Sequence, residues 1–154
     1  EAEIIHLTGL ECPAYLPASK GWVNDFENIF ADAEEQKLTA QIENVNQKKN
    51  IQLTVVTVEG YYPFESMFHY AFYAGNCWGV GNKNKDNGII LLISKKQRKI
   101  WISNGYGIEN QLTDAETKKI LKQILLPSFK KGMFYQGTID ALNAINQQLK
   151  VTVK

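Results

Sequence analysis

Carboxylates carry most of the chemistry this sequence can offer. Of its 16 acidic residues only five are aspartate: Asp25, Asp32, Asp86, Asp114 and Asp140. Asp86 stands just before the apolar run Ile89 to Ile93. Glu109 follows a second apolar stretch, Ile100-Trp101-Ile102-Ser103, past Gly105-Tyr106-Gly107. Asp114 sits inside the capping-box pattern Thr113-Asp114-Ala115-Glu116. Two short apolar segments joined by the polar stretch 95–99 read as an antiparallel hairpin. The start of its first strand and the end of its second then share one sheet edge. Asp86, Glu109 and Asp114 converge on that edge. Hard cations such as Ca²⁺ take roughly six to eight oxygens from carboxylates, carbonyls and water. Asn87 and the carbonyls of a glycine-rich loop can complete such a set, although the spacing matches no EF-hand loop. Asp25 is a fourth candidate. It reaches that edge only if strand 51–58 runs parallel to strand 100–103, whereas a right-handed crossover makes strand 51–58 parallel to 89–93.

Each of these residues also has a plainer role. Asp114 is a helix-start acid that complements the helix dipole, Asp86-Asn87-Gly88 is a turn signal, Glu109 a surface acid and Asp25 a turn residue. Asp32 and Asp140 read as structural. Gly105-Tyr106-Gly107 fails the dinucleotide fingerprint, because Asn110 stands where the third glycine belongs. It reads instead as a tight turn with close backbone approach. His69 and Cys77 lie on one aromatic segment with no third partner, so no nucleophilic triad is visible. His6 and His69 form no HExxH, which argues against a zinc site.

The elements that must position these residues follow from periodicity. Residues 1–20 read as an irregular lead-in, 21–150 as one domain and 151–154 as a tail. Asp32, with Glu35 three residues on, opens a helix whose stripe is Leu38, Ile42 and Val45, and Asn50 ends it. Ile51 to Val58 is β-branched and reads as a strand. Residues 64–78 read as an aromatic-rich helix, 79–88 as a loop. Ile89 to Ile93 fits a strand covered on both faces. A helix from Thr113 carries Ile120, Leu121, Ile124 and Leu125 until Pro127 bends or stops it. Thr138 to Lys150 is the last helix. Helices flanking an apolar sheet give an α/β layered class.

Composition narrows the function. Seventeen basic residues against 16 acids give a net charge of +1, which argues against a dedicated nucleic-acid surface. Arg98 is the only arginine, so bidentate phosphate clamping has little to draw on. No run reaches the roughly 18 apolar residues of a membrane span. The acidic start Glu1-Ala2-Glu3 shows no signal peptide, as a processed or trimmed chain would also show. Cys12 and Cys77 make no framework and read as free thiols, with one disulfide as the alternative. The lysines at 83–85 and 95–99 read as solvated charge, or else as contacts to acidic lipid or a phosphorylated ligand. Tyr61, Tyr62 and Phe64 are candidates for an exposed groove or partner surface.

An ordered series of short motifs runs through the chain: Val23-Asn24-Asp25-Phe26; Trp78-Gly79-Val80-Gly81; Asp86-Asn87-Gly88-Ile89-Ile90-Leu91-Leu92; Arg98-Lys99-Ile100; Gly105-Tyr106-Gly107-Ile108-Glu109; Leu112-Thr113-Asp114; then Pro127, Gly132, Tyr135 and Gly137. This order resembles the TPM domain, a family that includes a thylakoid-lumen acid phosphatase. The resemblance implies a three-layer α/β/α sandwich around a small mixed sheet. It also implies a divalent-cation site, calcium before magnesium, with Asp25, Asp86, Glu109 and Asp114 on matched positions and Asn87, Gly105 and Gly107 around them. Family members include phosphatases and accessory factors for membrane complexes, often extracytoplasmic or membrane-anchored. Two functions follow as expectations. One is a cation-binding accessory module that docks on a protein partner or takes a small phosphorylated ligand. The other is a metal-dependent phosphomonoester hydrolase. The thin catalytic inventory favours the first.

Overall fold

The computed structural model describes residues 12, 15–81 and 85–150. Most of the lead-in, with His6, and all of the tail 151–154 lie outside them, as does Lys83. Four strands form one open sheet in the order β1-β2-β3-β4: β1 (Val23–Asp25), β2 (Gln52–Thr57), β3 (Gly88–Ser94) and β4 (Lys99–Asn104). β1, β2 and β3 run parallel, and β4 returns antiparallel to β3 as the expected hairpin. Helices α1 (Asp32–Lys49) and α2 (Met67–Trp78) come first. A continuous rod follows, built from α3 (Asp114–Lys119), a π-helical stretch (Ile120–Leu125) and α4 (Leu126–Lys130), and α5 (Phe134–Gln148) ends the fold.

Alternation along the strands sorts the helices into layers. Leu53, Val55, Ile89, Leu91 and Ile93 face a core shared with Leu38 and Ile42 of α1 and Leu142 and Ile145 of α5. Val56, Ile90 and Leu92 face the other way, onto Met67, Tyr70, Ala71 and Ala74 of α2. The result is the expected three-layer α/β/α sandwich around a mixed sheet. Strand β3 is buried on both faces from Ile89 to Ile93, which is why it reads as an unbroken apolar run. Each of these side chains contributes about 1.5–3 kcal/mol by leaving water.

Several local expectations shift. The N-cap of α1 is Ala31 and not Asp32, and Glu34 Oε1 accepts the Ala31 N–H at 2.9 Å. Ala31 offers no acceptor in return, so only half of a capping box exists. Asn50 ends α1 in the left-handed region, φ 56°. Thr113 and Glu116 form the full box at α3. Pro127 does not stop its helix. The Leu126 N–H bonds back to the Leu121 carbonyl, a five-residue step. The wider winding interrupts the regular ladder just where proline lacks a donor. α5 begins a turn earlier than expected, at Phe134.

The thiols are not free. Cys12 is joined to Cys77 in a disulfide, Cα to Cα 5.8 Å. Residues 15–17 lie along the end of α2, where Leu16 is buried and the Trp78 indole donates to the Pro17 carbonyl at 2.9 Å. That placement brings the two sulfurs together, and nothing in the local sequence around either cysteine encodes it.

Candidate functional site

At the open end of the hairpin the backbone is shaped around Asp86. Asp86 adopts φ 47°, the left-handed region, where aspartate is tolerated better than most residues. Its carbonyl accepts the Gly107 N–H at 2.9 Å and its Oδ2 the Tyr106 N–H at 3.0 Å. A Cβ at Gly105 would stand 2.2 Å from the Asp86 carbonyl oxygen, and one at Gly107 would stand 1.9 Å from that of Lys85. Both glycines are therefore required by close approach, the role expected of them. Asn87 is buried and donates to the Asn50 carbonyl at 2.7 Å, tying the turn to the end of α1.

Above this turn lies a cleft of about 540 Å³ between α2 and the β3–β4 hairpin. Asp86 and Glu109 both line it, together with Ser103, Asn104 and Asn76. Phe68, Phe72 and Tyr106 form its apolar side. Asn104 pairs with Ile89, so its side chain turns away from the cleft to the α1 and α5 face, where Nδ2 donates to Thr117 Oγ1 at 3.0 Å and Oδ1 is buried with no partner among the described residues. A buried acceptor left unpaired costs about 1–3 kcal/mol. The donors here are oxygens, the type a hard cation selects.

The other two candidates stand elsewhere. Asp114 is exposed in the first turn of α3 and is not part of the cleft wall. Asp25 ends β1 beside Thr57, at the far end of the parallel strands from Asp86. Its carboxylate is committed locally. Oδ1 accepts from the Ile29 N–H at 3.0 Å and Thr57 Oγ1 at 2.7 Å, and Oδ2 from the Phe30 N–H at 2.9 Å. The conventional crossover decides this, because parallel β2 and β3 put Asp25 and Asp86 at opposite sheet ends. Among the described residues no three His, Cys, Asp or Glu side chains gather as a metal-holding group. An ion at the cleft would rest on Asp86, Glu109, carbonyls and water.

Sequence reasoning missed Ser103, Asn104 and Asn76. Asn104 precedes Gly105 at the very strand end that carried the argument, so its place was readable from the hairpin. Asn76 comes from α2, and only the layer packing brings it in. Of the proposed aromatic surface, Phe64 stacks on Tyr73 (4.9 Å between centroids) and Tyr61 packs against the α2-side core. Tyr62 alone is fully outward, 92% exposed. His69 Nδ1 lies 2.7 Å from Ser66 Oγ, in the N-cap of α2.

A family model described as the TPM domain matches residues 23–148. No curated protein matches the chain. Among solved structures, the N-terminal domain of a P. gingivalis protein is similar at 24% identity and TM-score 0.72, covering 84% of this chain and 82% of that one. The N-terminal domain of the cg2496 protein from Corynebacterium glutamicum is similar at 13% identity and TM-score 0.67, covering 94% and 91%. The BA42 protein of Bizionia argentinensis is similar at 17% identity and TM-score 0.66, covering 80% and 83%. At these identities the likeness concerns the fold. No helix among the described residues is long and apolar enough to cross a membrane.

Proposed function

The chain belongs to the TPM domain family, and from that premise we propose that it is a divalent-cation-binding accessory module that docks on a protein partner. The observation that carries the reading is the pair Asp86 and Glu109 on one cleft, with the backbone around Asp86 held by two obligatory glycines. The Tyr106 N–H holds the Asp86 carboxylate at the cleft edge, on the same wall as Glu109. Calcium suits the site better than magnesium. Its coordination accommodates irregular sets of carboxylate, carbonyl and water, whereas magnesium demands a near-ideal octahedron.

Docking is supported by what surrounds the cleft. Phe68 is 44% exposed and packs edge-on to Trp101, with 5.9 Å between centroids, and Tyr106 is 80% exposed. Clustered outward rings beside a polar pocket are typical of partner surfaces.

The test is a melting curve in calcium. Binding to the native state alone raises the melting temperature by mass action, by about 2.7 kcal/mol of stability at a hundredfold excess over Kd. Asp86→Asn and Glu109→Gln should abolish the rise without unfolding the protein. A wild type whose melting temperature ignores millimolar calcium would falsify the cation site. Metal-dependent turnover of a generic phosphomonoester, lost in Asp86→Asn, would turn the reading to the phosphomonoester hydrolase.

A further inference from the structure

At the opposite end of the hairpin the geometry points to a second binding site, for a small amphiphilic oxyanion: a carboxylate or phosphate on a compact apolar body. Residues 95–98 close the strands whose other ends carry Asp86 and Tyr106, so the two sites lie at opposite ends of β3. The second is a cavity of about 360 Å³, within the size range of small-ligand pockets. Its floor is apolar: Leu126, Phe129 and Phe134, with the two phenyl rings 4.9 Å apart. Its rim is cationic: Lys95, Arg98 and Lys130, with no carboxylate in the wall.

The arrangement of these cations is specific. Lys95 Nζ stands over the Phe134 ring at 5.3 Å, which holds its charge against the apolar wall. Arg98, the single arginine of the chain, sits at the hairpin turn with φ 56°. Lys99 lends only its stem, because its ammonium donates to Tyr61 Oη at 2.7 Å. The two nearby acids, Glu27 and Glu59, line the adjoining surface and not this cavity. Glu27 accepts the Lys95 and Lys96 N–H groups at 2.8 and 3.0 Å, and Glu59 pairs with Lys96 Nζ at 3.7 Å.

Three cations around one small apolar concavity repel one another, and a concavity lined by one sign of charge attracts counter-ions. An anion relieves that repulsion. The guanidinium fork suits a carboxylate or phosphate bidentately. The phenyl floor adds the second requirement, an apolar body, which inorganic phosphate lacks. Concavity separates the site from a lipid-facing patch, whose apolar groups would protrude. This inference does not depend on cation binding at the cleft.

The experiment is a chemical-shift titration of the ¹⁵N-labelled full chain with phenyl phosphate and with phenylacetate. Inorganic phosphate, benzyl alcohol and phosphatidylglycerol vesicles serve as comparison arms. Both aryl anions should shift the amides of Lys95 to Lys99 and Gly132 saturably. Inorganic phosphate and benzyl alcohol should bind at least about tenfold more weakly, since each lacks one half of the recognition. The double variant Arg98→Gln/Lys130→Gln should weaken aryl-anion binding about tenfold or more. If its melting temperature falls, Arg98→Gln alone is read instead. The proposal is overturned by unshifted hairpin amides, by equal binding of inorganic phosphate, or by an affinity unchanged in the variant. Shifts confined to Asp86 and Tyr106, or binding to vesicles alone, overturn it equally.

Discussion

At the residue scale, the same side chain, aspartate, is used in two opposite ways. Asp25 is buried and spends its carboxylate on two backbone N–H groups and the Thr57 hydroxyl. Asp86 is exposed, and among the described residues only its Oδ2 accepts a backbone N–H. Asp25→Ala should therefore destabilise the protein by about 2–4 kcal/mol in urea denaturation, as buried donors lose a charged acceptor. It should leave the calcium-induced rise in melting temperature intact, whereas Asp86→Asn should do the reverse. Tyr70 offers a second measurement. Burial against α2's neighbours pushes its hydroxyl up to about 12, because the phenolate loses its hydration. The neutral form is the one the fold favours. Its contribution is complete below pH 10, the ordinary tyrosine value, and is lost as pH rises from there through about 12. Absorbance titration near the phenolate band should show one tyrosine ionising late, together with the onset of alkaline unfolding. Residue type and position alone do not separate these two roles in the sequence, whereas the crossover rule does. Asp25 and Asp86 both stand at loop–element junctions, and only the direction of β2 tells their ends apart.

At the scale of elements, the sheet is completed by groups that are not strands. β1 is three residues long and pairs only with Val55 to Thr57, so the start of β2 lacks a strand on that side. Asn46 of α1 fills the gap. Its Oδ1 accepts the Leu53 N–H at 2.9 Å and its Nδ2 donates to the Leu53 carbonyl at 3.4 Å. Asn46→Ala should cost about 2–3 kcal/mol by stranding both groups in the core, and hydrogen exchange at the Leu53 amide should speed up while that at Leu91 changes least. Long periodic elements were legible beforehand: α1, β2, β3 and the hairpin all follow from apolar spacing. β1 was not, because three residues carry no period. The continuation through Pro127 was not either, since the π-helical step before it depends on how the rod packs against α5. The charge run 95–99 reads as solvated until Phe129 and Phe134, some thirty residues on, are seen beneath it.

At the scale of the molecule, one covalent link joins what hydrophobic layering leaves separate. The Cys12–Cys77 disulfide closes a loop with a sequence separation of 65 that holds β1, α1 and β2. Loop-closure entropy for such a length corresponds to about 4 kcal/mol, with measured cases more often 2–4. Reduction, or Cys12→Ser/Cys77→Ser, should lower the melting temperature by a corresponding amount without dispersing the sheet, because β2 and β3 remain buried on both faces. Far-ultraviolet circular dichroism and a melt in reductant check both halves. A structural disulfide of this kind persists in oxidising compartments.

The hairpin's open end also keeps a chemical record. Asn87-Gly88 and Asn104-Gly105 are the two asparagine–glycine steps of the chain, and they meet there, the Gly105 N–H bonded to the Gly88 carbonyl at 2.8 Å. Asparagine followed by glycine is the sequence most prone to lose ammonia, by attack of the next backbone nitrogen on the side-chain amide. At Gly105 that nitrogen is occupied, and at Asn87 the amide is buried and tied to Asn50. Opening of the strand end releases this protection, and each event adds a carboxylate that is never removed. Peptide mapping of aged samples should therefore date how often this end of the sheet opens, with Asn87 and Asn104 converting far more slowly than in denatured protein.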